Sequence, residues 1–329
     1  MKKNPSICLR SFRLRLRLPT AATALFTCWA LLPGAVNLAA ADYALIVKTL
    51  ANPFWVAVSD GAKQEAKLKG VKVDIFAASN EEDIQGQQRL LEDVINKGYK
   101  VIGVAPITSV SLIQAIVKAN KKGIYVVNIG EQIDPGELKA AGGSVVAFLS
   151  TDDRAVGEKA AKFLMTKIGT DGGDVAIIEG KAGNSSGDAR RDGAADAFKV
   201  ARNFRLVASL PADWDRARAL DVATNILQRN PGLKAIYAAN DTMALGAYQA
   251  VRNANKQGRI LVVGTDGAPE ALDSVSRDEL NATVAQDSAA LGAIGLDVMI
   301  ETLNTKPPMN PALSPRRIAI ESRLVTKAK

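Results

Sequence analysis

Histidine is absent from the 329 residues, and the only two cysteines, Cys8 and Cys28, fall near the start. Without histidine there is no Ser-His-Asp triad, no Cys-His pair and no zinc site of the usual ligands. The 288 residues after position 41 (329 minus 41) hold no cysteine, so disulfides are excluded and stability must come from core burial. No metal or cofactor is expected. Carboxylate and lysine chemistry stays open, so these absences weigh against an enzyme without excluding one. Aromatic residues make up only 5% of the chain, and there are three tryptophans, Trp29, Trp55 and Trp214. Such scarcity makes their positions informative.

Acidic residues are missing from positions 1–41, which carry Lys2, Lys3, Arg10, Arg13, Arg15 and Arg17. Setting these six aside leaves 36 basic residues against 34 acidic ones, so the formal charge of +8 falls to +2. The basic excess is local and gives no reason to expect nucleic-acid binding. A basic segment, an apolar stretch over 21–32 and the small residues Ala39, Ala40 and Ala41 read together as a secretory signal, cut before Asp42. Pro33 and Gly34 interrupt the apolar stretch, which is too short to span a bilayer. The protein is therefore expected in the periplasm.

From residue 42 onward, short apolar runs alternate with longer amphipathic segments. The runs lie at 43–47, 71–76, 101–104, 124–128, 145–149, 175–178, 206–209, 235–237, 260–263 and 282–285. Near-continuous apolar runs suit parallel strands buried on both faces. Segments 81–96, 109–121, 154–168, 215–228 and 243–252 have helical length and spacing. The fold class is therefore α/β, with right-handed crossovers and doubly wound parallel sheets. About ten strands are too many for one comfortable sheet and predict two lobes, with a first break near 150–152. The proline-rich stretch 306–315 reads as a surface loop.

Ligands of open parallel sheets bind beyond the carboxyl ends of the strands. Asn52, Glu131, Asn240 and Asp266 each follow an apolar run. Asn52 before Pro53, and Asn240 before Asp241, are also good helix N-caps, and an amide can cap a helix and face a ligand from one place. Trp214 stands among Asp213, Asp215 and Arg216, neighbours unlike those of a core tryptophan, so it is placed in a cleft. Phe54 and Trp55 open a helix, where one of them serves the core equally well.

Four motifs then recur in order: Ala51-Asn52-Pro53-Phe54-Trp55, Pro211-Ala212-Asp213-Trp214-Asp215-Arg216, Tyr237-Ala238-Ala239-Asn240-Asp241 and Val262-Val263-Gly264-Thr265-Asp266-Gly267. Across nearly all of 42–329 the chain resembles the ribose-type periplasmic sugar-binding proteins of ABC importers, most of all their allose-binding branch. The resemblance implies a type I periplasmic binding fold with a multi-crossover hinge. It divides the chain into 42–150 with 287–317 and 151–286 with 318–329. It makes Phe54, Trp55 and Trp214 the aromatics around a sugar, and Asn52, Arg190, Asn240, Asp266 and Gln286 its polar partners. Lys48 matches a lysine of the allose-binding branch. At Gly130 the family has an aspartate that hydrogen-bonds the sugar. Its loss leaves three readings open: water fills the gap, Glu131 reaches in, or the ligand differs, a sugar acid included.

The implied partners are a monosaccharide and a membrane ABC permease, with a chemoreceptor compatible; a monomer is expected. Two other classes fit less well. A sugar-responsive repressor would carry a DNA-binding headpiece. A nucleotide-dependent enzyme would place a Gly-x-Gly-x-x-Gly turn after the first strand, where Lys48-Thr49-Leu50-Ala51-Asn52-Pro53 stands. Mass spectrometry of protein released by osmotic shock is expected to find Asp42 at the amino terminus. Recovery only from membranes, with residues 1–41 attached, would refute the signal reading.

Overall fold

A computed structural model describes residues 41–328. The expected signal segment lies outside the described residues except for Ala41. Strands and helices alternate: β1 (Tyr43–Thr49), α1 (Pro53–Lys69), β2 (Val73–Ala78), α2 (Ile84–Asn96), β3 (Val101–Val104), α3 (Ile113–Lys121), β4 (Tyr125–Ile129), α4 (Pro135–Ala140) and β5 (Ala147–Thr151). The alternation continues with α5 (Asp153–Ile168), β6 (Gly173–Glu179), α6 (Ser185–Val200), β7 (Phe204–Pro211), α7 (Arg216–Arg229), β8 (Leu233–Ala238), α8 (Asp241–Asn253), β9 (Leu261–Asp266), α9 (Pro269–Ser276) and β10 (Ala282–Gln286). The chain ends with α10 (Ser288–Thr305), β11 (Arg316–Ile320) and β12 (Ser322–Val325).

Two six-stranded sheets result, ordered β11-β5-β4-β3-β1-β2 and β12-β10-β9-β8-β6-β7. All pairings in the first are parallel; in the second only β12, against β10, is antiparallel. Strand periodicity explains the helical layers on both faces. From β1, Leu45 and Val47 enter the core that Leu291, Leu296 and Met299 of α10 also fill. Ala44 and Ile46 point the other way, to Leu91 and Val94 of α2 and Ile116 of α3. The second sheet repeats the scheme, with Ala176 and Ile178 packed among residues of α7 and α8, and Val175 and Ile177 among those of α5 and α6.

The chain passes between sheets three times: after Thr151, after Gln286 and at Glu321. The third passage lies beyond the one expected near Arg317. Arg317 is inside β11, paired in register with Phe148, its guanidinium 5.5 Å over that ring. Adjacent arginines look unlike a strand, but β11 is an edge strand, where charged side chains reach solvent. Apolar runs also began early: Val71 and Val145 pack into the core from the turns that enter β2 and β5, so apolarity alone does not mark a strand's start.

Each lobe holds one helix pair packed backbone to backbone through reciprocal glycines. A Cβ on Gly292 of α10 would sit 1.9 Å from the Val58 carbonyl oxygen of α1, and one on Gly61 of α1 would sit 2.0 Å from that of Ala289. Gly157 of α5 and Gly193 of α6 meet the carbonyls of Arg190 and Arg154 at 1.9 and 2.1 Å in the same sense. Since backbone cannot yield as a side-chain tip can, Gly292→Ala is expected to cost about 1–3 kcal/mol. Urea unfolding measures it; an unchanged midpoint would show that α1 and α10 separate freely.

Candidate ligand-binding site

The carboxyl ends of both sheets face one cavity whose wall draws on both lobes. All ten residues expected at the site line it. Lys48, Asn52, Phe54, Trp55 and Glu131 come from the first lobe, and Arg190, Trp214, Asn240, Asp266 and Gln286 from the second. Glu81, Gly130, Ser150, Thr151, Asp153, Ser186 and Leu291 complete the wall.

Both candidate asparagines cap helices, and they differ in what remains. Asn52 caps α1 by accepting from the Phe54 N–H at 3.0 Å, while its Nδ2 donates to Glu81 Oε1 at 2.9 Å. Asn240 caps α8 by accepting from the Met243 N–H at 2.8 Å, and its buried Nδ2 has no acceptor. The Trp214 indole Nε1 is the other buried side-chain donor without an acceptor among the described residues. Asp213 and Trp214 both have left-handed backbone, φ 52° and 68°, and the indole lies against Gly180 and Gly187, where a Cβ would approach its carbons to 2.1 and 2.9 Å. Two glycines and a strained turn thus seat this ring on the cavity wall.

Phe54 and Trp55 meet edge to face, ring centroids 4.9 Å apart. Trp55 also packs into the first lobe's core, so it serves core and cavity together. The Lys48 ammonium lies 5.7 Å over the Trp55 ring and 3.6 Å from Glu131 Oε2.

Arg190 is buried between two acids. Its Nε donates to Asp153 Oδ1 at 2.8 Å, and its NH1 donates to the Ala239 carbonyl at 2.8 Å and to Asp266 Oδ1 at 3.4 Å. Burial works against its charge, but the Asp153 and Asp266 carboxylates prevail and hold it more firmly protonated than a free arginine. Asp266, with φ 122°, also accepts from Gln286 Nε2 at 2.7 Å. Burial pushes its carboxyl up to about 7 against the pull of Arg190. Asp153 is raised for the same reason, with Arg190 again opposing. Nothing in the sequence singled out Asp153, because two adjacent acids after a strand read as helix capping. Asp152 is the actual cap, accepting from the Ala155 N–H at 3.0 Å, which releases Asp153 for Arg190.

Residues 43–307 match the family described as a periplasmic binding protein domain. The chain belongs to the periplasmic binding proteins. It is 55% identical to the D-allose-binding periplasmic protein of Escherichia coli over 289 residues, 88% of this chain and 93% of that protein. The ribose import binding protein of Haemophilus influenzae is 37% identical over 253 residues, 77% of this chain and 82% of that one. Among solved structures, an ABC transporter solute-binding protein of Actinobacillus succinogenes with bound D-allose superimposes with a TM-score of 0.81 at 34% identity, covering 87% of this chain and 97% of that chain. Two parallel-sheet lobes are thus the architecture of this family member and of its structural relative.

Gly130 has φ +74°, and a Cβ on it would lie 2.8 Å from Trp55 Cη2. The indole occupies the space a side chain at this position needs. Gly130→Asp is therefore expected to lower ligand-free stability by about 1–2 kcal/mol, the cost of left-handed backbone on a residue with a Cβ. It should also displace Trp55, visible as a changed fluorescence maximum. A variant melting with the parent and emitting identically would show that the loop relaxes without strain.

Proposed function

We propose that the chain captures a neutral monosaccharide, an aldose of the allose type, in the periplasm and delivers it as a monomer to a membrane ABC permease, without catalysis. The observation that carries this is the pair of buried, unpartnered donors, Asn240 Nδ2 and Trp214 Nε1, in a cavity that also offers carboxylates and aromatic faces. A ligand rich in hydroxyls supplies acceptors to the donors and donors to Asp153 and Asp266. Its apolar ring face suits Phe54, Trp55 and Trp214. The two lobes move as bodies about the three passages between the sheets and close around the sugar. An epimer with one misplaced hydroxyl leaves a buried group unmatched, at about 1–3 kcal/mol.

A sugar acid is the second reading, prompted by Gly130 in place of the family aspartate. The wall carries two cations, Lys48 and Arg190, against four acids, Glu81, Glu131, Asp153 and Asp266. Both cations are already committed to those acids. An anionic ligand would meet uncompensated carboxylates, so a neutral sugar is the better fit.

Calorimetry over aldohexoses, pentoses and sugar acids tests the reading. An aldose is expected to bind tightest, and Trp214→Ala to weaken it by roughly 1–3 kcal/mol. A sugar acid binding tighter than any aldose, or a silent Trp214→Ala, would refute it. The pH dependence has a definite sign. Sugar hydroxyls donate best to ionised Asp266, so affinity should rise with pH up to about 7 and then level, and Asp266→Asn should flatten the profile. Ligand-free stability runs the other way. Unfolded Asp266 ionises in the ordinary carboxylate range while the folded protein keeps the proton to about 7, so its contribution falls as pH rises through that window.

A further inference from the structure

Glu131 lines the cavity and pairs with Lys48 of its own lobe, yet its carboxylate also reaches the opposite lobe. Its Oε2 accepts from Ser186 Oγ at 2.8 Å and from the Ser186 N–H at 3.4 Å, and its Oε1 accepts from the Ser185 N–H. Ser185 and Ser186 open the sixteen-residue helix α6 of the second lobe. A first-lobe carboxylate therefore sits on the unpaired N–H groups and positive dipole end of a second-lobe helix, the placement that favours an anion most. Nearby, Ser185 Oγ accepts from the Gln132 N–H at 3.3 Å, and Asn184 Nδ2 donates to the Ile107 carbonyl at 3.3 Å.

The loop that presents Glu131 is stiff. Asn128 Nδ2 donates to the Glu131 carbonyl at 2.7 Å, Asn128 Oδ1 accepts from the Ile133 N–H at 2.9 Å, and the Gly130 N–H donates to the Leu149 carbonyl at 2.7 Å. Gly130's left-handed backbone turns the chain out of β4 toward the second lobe. A carboxylate on such a mount meets α6 only when the lobes are together. With the lobes apart, it loses these partners and keeps only Lys48 of its own lobe.

We propose that Glu131 is a positioning residue that holds the lobes closed from inside the cleft, so that a fraction of the protein closes before ligand arrives and captured ligand leaves slowly. The bond to α6 shifts the ratio of open to closed protein toward the closed form. Only the effect on ligand release rests on the cavity being a sugar site; the effect on lobe separation does not.

The mature chain has no cysteine, so Lys121→Cys on the first lobe and Gln228→Cys on the second can be spin-labelled uniquely and their separation measured without ligand. The parent is expected to show two separations, with Glu131→Ala shifting the population to the longer one and Ser186→Ala shifting it part of the way. The double variant should match Glu131→Ala, because the two side chains act through one contact. With the sugar identified by calorimetry, Glu131→Ala is expected to raise koff by about tenfold, as for loss of a charge-assisted hydrogen bond, without lowering kon. A single separation in the ligand-free parent, or an unchanged distribution in Glu131→Ala, would overturn the proposal. If no sugar binds the parent, the sugar reading fails while the separation measurement still decides the role of Glu131.

Discussion

Four elements of the second lobe's half of the cavity are tied together by one buried guanidinium. Arg190 joins α6, the start of α5, the loop after β8 and the end of β9 through Asp153, the Ala239 carbonyl and Asp266. Its position is fixed twice over, since the Arg190 carbonyl is the group against which Gly157 packs. A guanidinium cannot shed its proton, so the two acids titrate around a constant positive charge. Burial raises both carboxyls against the pull of that charge.

Much of this was legible in the sequence, for a physical reason. Strand ends in parallel sheets carry polar residues that often cap the next helix, and here those positions face the cavity. Asn52, Asn240 and Asp266 therefore announced themselves by following apolar runs, and Trp214 by its charged neighbours. Asp153 and Glu81 stayed hidden because their roles are relational. Asp153 matters through Arg190, 37 residues away, and Glu81 through Asn52, 29 residues away. Glu131 was visible as a cavity residue, but its reach across to α6 depends on the arrangement of two lobes, which no local pattern encodes. The passage at Glu321 falls a few residues beyond the boundary that the family resemblance implied.

The lobes solve the same packing problem in the same way. Each sheet sends alternate side chains to two helical layers, and each lobe locks one helix pair through mutual glycines. Rigid lobes leave flexibility to the three short passages between them. That division suits a protein whose working parts are carried on two walls and must meet in register.

The return of α10 and β11 to the first sheet has a consequence for how the protein is made. During synthesis from the amino end, strands β1 to β5 and their helices emerge early. The α1 face that receives Gly292 stays uncovered until α10 follows, and β5 remains a bare edge until residue 320. The second lobe has by then been almost entirely synthesised, needing only β12. The first lobe is thus completed only by nearly the last of the chain, and its core and its β5 edge cannot close until synthesis is almost done.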